Sequence, residues 1–145
     1  MTRHNDVLDY WFGQLDTEGM PAEDRNKLWF AYQAETDEEI RNRFGAAVDS
    51  ARAGELANRQ DNNESLVALI VLLDQFTRNI FRGTPVAFSG DDQALQLAKS
   101  AVEDGRDRDM PTIYRVFLYI PYEHSESQED QQQGVACFDR LLADI

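Results

Sequence analysis

Five polar side chains that could hold a charged group lie within nine residues of one another, in the stretch LLDQFTRNIFRGTP at 72–85. They are two arginines, one carboxylate and two amides: Asp74, Gln75, Arg78, Asn79 and Arg82. At about 100° per residue, all five fall on one face of a helix. The planar guanidinium fork of arginine suits a carboxylate or a phosphate. The pattern therefore indicates a ligand-binding site for an anionic group.

The same stripe also has a structural interpretation. Asp74 and Arg78 are spaced i, i+4 and can pair along the helix. The other three side chains can satisfy the backbone carbonyls and helix ends of neighbouring segments. Because structural ion-pair networks resemble functional sites in composition, the sequence leaves both interpretations open.

A second group of candidate residues lies in LYIPYEHSESQEDQ at 118–131. His124, one of two histidines, stands directly before Ser125, which we expect to cap the last helix. A helix N-terminus offers free backbone N–H groups that can receive an anion. Near neutral pH an imidazole can also act as a general acid or base, so His124 and Glu126 are the candidate catalytic pair. In the alternative interpretation, the segment only caps the helix and His124 packs over the turn.

We expect the two groups to meet. Although the chain has a formal net charge of −13, Arg78 and Arg82 lie close together near the end of an apolar helix. The second group supplies N–H donors at the start of another helix. The sequence therefore predicts that both arginines lie near His124 and Ser125 and together receive one anionic group.

Common catalytic and cofactor motifs are absent from the sequence. It contains no G-x-S-x-G, no glycine-rich phosphate loop, no H-E-x-x-H and no C-x-x-C, so we expect no metal site and no cofactor. Cys137 is the single cysteine, which excludes an intrachain disulfide and indicates a reducing, cytoplasmic compartment.

Length and charge limit the class of protein. The chain of 145 residues fits a single domain spanning residues 1–145. Its 27 acidic residues against 14 basic ones disfavour contact with nucleic acid or anionic lipid. The longest apolar run, LVALIVLL at 66–73, is far below the roughly 20 residues of a membrane span. The expected partners are therefore a small anionic ligand or a protein or peptide.

The elements that position these residues are predicted to be helices. Apolar residues recur at helical spacing and almost nowhere alternate, which predicts an all-α domain of six or seven antiparallel-packed helices. One such buried stripe comprises Ile40, Phe44, Val48 and Ala51. The run 66–73 is apolar all round, which predicts that its helix lies at the centre of the fold.

Capping residues and proline set the expected helix ends. Ser89 is the predicted N-cap of one helix, and SESQ at 125–128 is a capping box that opens the last one. A helix that includes Ile120 is expected to end before Pro121. In the last helix, five apolar side chains are expected to point inward: Val135, Phe138, Leu141, Leu142 and Ile145.

Several stretches, among them VLDYWFG at 7–13, LLDQFTRNIFRGTPVAF at 72–88 and FLYIPYEHSES at 117–127, resemble the bacterial family called domain of unknown function 924. The resemblance covers nearly the whole chain and implies a tetratricopeptide-like all-helical fold. It also implies that seven residues occupy the family's signature positions: Asp74, Gln75, Arg78, Asn79, Arg82, His124 and Glu126. Similar proteins usually continue beyond the position of Ile145, and we expect this difference to leave apolar surface that favours homo-oligomers.

Three functional classes follow from these residues. The first is a domain that binds a small anionic ligand, and the second is a tetratricopeptide-like protein-interaction module, for which fold analogy is a weak warrant. The third is a hydrolase-type enzyme with His124 and Glu126 as acid and base. A pocket that joins Arg78 to His124 would favour the first or third class, whereas a groove across several helices would favour the second.

Overall fold

The computed structural model describes residues 3–145, and its regular elements are helices. In chain order they are α1 (His4–Trp11), α2 (Asn26–Phe30), α3 (Ala34–Arg52), α4 (Asn63–Ile70), a π-helical segment (Val71–Phe76), α5 (Thr77–Ile80), α6 (Asp91–Glu103), α7 (Thr112–His124) and α8 (Gln128–Asp144). Because α4, the π-helical segment and α5 run on without a break, the described residues form seven α-helical rods, besides short 3₁₀ turns at Pro85–Phe88 and Arg106–Asp109. The predicted all-α fold is confirmed.

The continuous rod from α4 to α5 runs through the centre of the molecule, as its all-round apolar character predicts. Every side chain of the run 66–73 is buried. Helices α1, α6 and α7 pack against α4, while α3 packs against the π-helical segment and α5. Among the described residues, no helix is sufficiently long and apolar to cross a membrane.

The π-helical segment Val71–Phe76 interrupts the regular winding of the central rod. A π turn holds one residue more than an α turn and is found mostly as a local bulge within an α-helix. Asp74 and Gln75 lie inside this segment, whereas Arg78 lies beyond it. The angular positions read from a regular helix therefore do not apply across the stripe.

The start of α6 differs from the sequence prediction. Gly90, not Ser89, is its N-cap, and the Ser89 hydroxyl donates to the carbonyl oxygen of Val86 at 2.6 Å. A Cβ on Gly90 would lie 2.2 Å from the carbonyl oxygen of Leu73, so only glycine allows this helix start to approach the central rod so closely. This approach brings Asp91, the first residue of α6, to the end of the rod.

Helices α7 and α8 also differ from the prediction at their ends. Helix α7 continues through Pro121, so its last residue is His124. The N-cap of α8 is Ser127 rather than Ser125, because the Ser127 hydroxyl accepts from the backbone N–H of Asp130 at 3.4 Å. The break between the two helices is thus only three residues long, from 125 to 127.

Helix α8 packs through a face that matches the predicted one only in part, since Leu141 is buried as expected. Its buried residues are Gly134, Cys137 and Leu141. A Cβ on Gly134 would lie 2.8 Å from Cβ of Tyr122, so the missing side chain sets the face on which α7 and α8 pack. Phe138 is partly buried, whereas three of the residues predicted to point inward are exposed: Val135, Leu142 and Ile145.

A buried polar cluster also joins the two last helices. The Tyr119 hydroxyl donates to the Asp107 carboxylate, which Arg140 contacts at 3.2 Å. Burial, followed by the hydrogen bond to Asp107, raises the pKa of Tyr119 to about 12. Arg115 on α7 pairs with Asp144 near the end of α8 at 3.0 Å. This cluster fixes the C-terminal half of α8 on α7.

Candidate functional site

The fully buried carboxylate of Asp74 is the centre of the candidate site. Its Oδ1 lies 2.7 Å from Nδ1 of His124, and its Oδ2 accepts from Nε2 of Gln75 at 2.8 Å. The π-helical segment supplies Asp74, and the C-terminal end of α7 supplies His124. The two signature stretches of the sequence therefore meet at a direct carboxylate–imidazole contact.

Arg78 links the same carboxylate group to helix α6. Its Nη1 and Nη2 contact the two carboxylate oxygens of Asp91 at 2.8 and 3.0 Å, a bidentate pair. Its Nη1 also donates to the backbone carbonyl oxygen of Asp74 at 2.7 Å and lies 3.5 Å from Oδ1 of that residue. The ring of Phe88 lies under the guanidinium, 5.3 Å from its carbon atom. The donors of Arg78 are thus largely used within the protein.

Asn79 and Arg82 belong to a second cluster, centred on Asp37 of helix α3. Arg82 donates from Nε and Nη2 to the two carboxylate oxygens of Asp37, at 2.7 and 3.1 Å. Nδ2 of Asn79 donates to the same carboxylate at 2.9 Å, and the Tyr32 ring lies 4.7 Å from the Arg82 guanidinium carbon. Burial by itself raises the pKa of Asp37, but the hydrogen bonds from Arg82 and Asn79 outweigh it and lower this pKa below its usual value.

The polar stripe is therefore divided between two partners. Gln75 and Arg78 share the Asp74 group with His124, whereas Asn79 and Arg82 face Asp37. The expectation that Arg82 lies beside Arg78 at the start of the last helix is wrong. Its physical reasons are the π-helical segment, which breaks the regular winding, and the buried carboxylate of α3, which pairs with Arg82.

A cleft of about 340 Å³ opens beside the Asp74–His124 contact. It lies between the start of α6 and the break between α7 and α8, and its lining includes Phe88, Asp91, Asp92, His124, Ser125 and Glu126. The side chain of His124 is 26% exposed, and that of Arg78 is 25% exposed. A larger hollow of about 670 Å³ lies along α3, but none of the signature residues lines it.

Ser125 and Glu126 line this cleft, but neither forms a hydrogen bond with the imidazole of His124. The Ser125 hydroxyl donates to Oδ2 of Asp130 at 2.8 Å and accepts from the backbone N–H of Ser127 at 3.1 Å. Glu126 is exposed. The group that contacts His124 is Asp74 and not the neighbouring glutamate, which sequence proximity alone could not reveal.

Residues 7–145 match the model of a family described as "Bacterial protein of unknown function (DUF924)". The chain belongs to this family. A solved structure, that of the protein of unknown function ATU0120 from Agrobacterium tumefaciens, is similar with a TM-score of 0.80 and 33% sequence identity, over 95% of this chain and 73% of that chain. No curated protein matches. The predicted membership of DUF924 is confirmed, while the relation to tetratricopeptide folds stays a prediction.

Two carboxylates in these two clusters were not among the residues singled out in the sequence. Asp91 and Asp37 provide the ion-pair partners of the two arginines. Asp37 lies in the first turn of α3 and Asp91 in the first turn of α6, where acidic residues are common because they suit the helix dipole. Their only sequence signal is therefore a general one, and their pairing depends on how the helices pack.

Three residues of the candidate site also form a set that could coordinate a cation. Asp74, Asp91 and His124 each offer one ligand atom, and these atoms lie within 4.8 Å of one another. The Arg78 guanidinium contacts both carboxylates, at 3.5 and 2.8 Å. An ion would have to displace this built-in positive charge, and the absence of a metal stays a prediction.

Proposed function

We propose that the protein binds a small ligand in the cleft beside His124, and that the ligand presents a positively charged group such as an amine. The observation that carries this proposal is the charge of the lining. Asp91 is neutralised by Arg78, whereas Asp92 and Glu126 are exposed carboxylates with no ion-pair partner among residues 3–145. The unpaired charge that faces the cleft is therefore negative.

The anionic ligand expected from the sequence is less well supported by this arrangement. Arg78 and Arg82 already hold Asp91 and Asp37, so an anion would have to replace a bidentate carboxylate. It would also approach a lining that carries Asp92 and Glu126. Because like charges repel most strongly where water is partly excluded, a cation is the better match.

Shape supports a small-molecule site over an extended peptide groove. Arg78 and His124 both contact Asp74, so the signature residues of the two sequence stretches converge on one point. The cleft volume of about 340 Å³ lies within the roughly 300–1,000 Å³ of ligand pockets. Phe88, exposed at the rim, offers a ring face to an organic cation.

The test is a calorimetric titration with butane-1,4-diamine and, separately, with phosphate, both at constant ionic strength. We expect the diamine to bind, and the variant Asp92→Asn/Glu126→Gln to lose affinity by about tenfold or more, or about 1.4 kcal/mol, because both unpaired carboxylates are neutralised. The fold should be unaffected, since both side chains are exposed.

A matched control separates the cleft from overall charge. Glu18→Gln/Glu23→Gln removes the same two charges from exposed positions outside the cleft, and it should leave diamine binding unchanged. Equal loss in both double variants would show non-specific attraction to an acidic protein. Binding of phosphate but not of the diamine would reject the cationic ligand in favour of an anionic one.

A further inference from the structure

We infer that His124 is a general base whose Nε2 accepts a proton from a water molecule held in the cleft, in the hydrolysis of an ester or amide that carries a positive charge. The inference rests on the proposed ligand site, because it requires a substrate beside His124. The juxtaposition that supports it is a fully buried carboxylate at Nδ1 and an open cleft at the same ring.

The hydrogen bonds of Asp74 determine which ring nitrogen carries the proton. Oδ2 of Asp74 accepts from Gln75 at 2.8 Å, and Nη1 of Arg78 lies 3.5 Å from Oδ1. Both contacts bring N–H donors to the Asp74 carboxylate, whose oxygens act as acceptors. At the 2.7 Å contact the donor must then be Nδ1–H of His124, so the neutral ring carries its lone pair on Nε2.

Nε2 of His124 is available to a bound molecule. It has no hydrogen-bond partner among residues 3–145, and it is not one of the buried polar atoms that lack a partner there. The side chain is 26% exposed and lines the cleft. Since Nδ1 points to the protein interior, the opposite side of the ring is the side that meets solvent.

The environment of Asp74 suits a positioning residue. The π-helical segment holds the residue in the packed centre of the fold, and Gln75 holds its second oxygen. A fixed carboxylate keeps the imidazole in one tautomer and one orientation and stabilises the imidazolium that forms when Nε2 takes a proton. Asp74 acts through His124 and does not touch the substrate.

The proposed step balances without a cofactor. Water loses a proton to Nε2 of His124 as its oxygen bonds to the carbonyl carbon of the substrate. The bond from that carbon to the alcohol or amine then breaks, and the imidazolium returns the proton to the leaving group. The products are a carboxylic acid and an alcohol or amine, and His124 is regenerated as the neutral base.

The first test measures the tautomer in the ligand-free protein by ¹⁵N–¹H correlation spectra of the two imidazoles at pH 8. His4 provides the internal comparison, and a His4→Gln variant assigns the signals. We expect neutral His124 with its proton on Nδ1, in contrast to the Nε2–H form that free imidazole side chains favour. A proton on Nε2 would overturn the inference and would leave the ligand proposal intact, because no ligand is present.

The second test follows hydrolysis of arginine methyl ester, with the methyl ester of N-acetylglutamate as the anionic comparison. We expect faster turnover of the cationic ester, and a loss of about 10²–10⁴-fold in kcat in His124→Gln. Asp92→Asn/Glu126→Gln should raise KM for the cationic ester. Since His124 is partly exposed, its variant should stay folded, and equal turnover by parent and His124→Gln would overturn the catalytic role.

Discussion

Arg78 and Arg82 have the same side chain but different surroundings, and we expect different costs when each is removed. Arg78→Ala removes the donor to the backbone carbonyl of the buried residue Asp74 and leaves the Asp91 carboxylate without its ion-pair partner. This change should lower the free energy of unfolding by about 1–3 kcal/mol. Arg82→Ala should lower the free energy of unfolding by less than about 1 kcal/mol, because the Arg82 side chain is 45% exposed. Urea unfolding at pH 7 measures both free energies.

Leu73→Ala provides the reference for structural damage. The side chain is fully buried, so its truncation should cost about 2–5 kcal/mol. An Arg82→Ala variant as unstable as Leu73→Ala would show that the whole stripe is structural. If Arg78→Ala is no less stable than Arg82→Ala, the predicted difference in cost between the two arginines is wrong.

The sequence predicts which residues belong to the two clusters on the central rod, but it predicts their interaction partners only in part. The contact of Asp74 with Arg78, predicted from their i, i+4 spacing, exists at 3.5 Å. The shorter contacts of the arginines with carboxylates are those to Asp91 and Asp37, 13 and 45 residues away in the chain. A local pattern carries no information on such pairs, because they depend on the packing of separate helices.

An ion pair that acid should weaken joins Asp37 of helix α3 to Arg82, which follows α5. The pKa of Asp37 is lowered in the folded state, so its stabilising effect is present above the unfolded pKa of about 3.9 and is lost as pH falls through the folded value. Asp37→Asn should therefore destabilise the protein at pH 7 by about 1 kcal/mol or less. Below the folded pKa, the difference between variant and parent should vanish.

Urea midpoints of parent and Asp37→Asn at pH 7, 5 and 3 measure this dependence. Asp49→Asn is the matched control, because Asp49 is an exposed acid of the same helix with only a 3.4 Å contact to Arg52. The control should change little at any pH. A difference between Asp37→Asn and parent that grows on acidification has the wrong sign for a lowered pKa.

The helices could be predicted because apolar residues recur at helical spacing. The residues at which the helices begin and end could be predicted less well. Hydroxyls at 125 and 127 could each cap the last helix, and local sequence does not decide between Ser125 and Ser127. Pro121 lies inside α7 although proline usually ends a helix. The exact place of His124 therefore required the structure.

The protein exposes an apolar stripe on α8, and we expect copies of the protein to associate with one another through this stripe. Val135 and Leu142 are exposed and, seven residues apart, lie on one side of the helix; Ile145, also exposed, directly follows its last residue. Leu142→Glu should shift sedimentation towards monomer at high protein concentration and should change stability by no more than about 0.5 kcal/mol. The physical reason is that a charge added to the stripe must be desolvated in any apolar contact.

Phe30→Glu is the control for this stripe. Phe30 is a comparably exposed apolar residue on α2, so a non-specific effect of charge should appear in both variants. Equal dissociation by Phe30→Glu would place the contact elsewhere. A parent protein that sediments as a monomer at every concentration would refute association altogether.

Fold class and the central position of one helix were predictable from composition and periodicity alone. The run 66–73 is buried all round, as its sequence requires. The outer face of α8 was not predictable, since apolar residues there extend beyond the side that packs. Gly134 decides which side packs, because it admits Tyr122 of α7 where a larger residue would not.

The π-helical segment Val71–Phe76 has a consequence for how this gene can change. A π turn absorbs one extra residue, so loss of one codon within the segment would restore regular winding without rotating the rest of the rod. Arg78 and Arg82 would then still face Asp91 and Asp37. Loss of one codon from a regular helix, by contrast, rotates every later side chain by about 100°. The gene can therefore shorten this segment by one residue and keep both clusters, provided that the codon of Asp74 is retained.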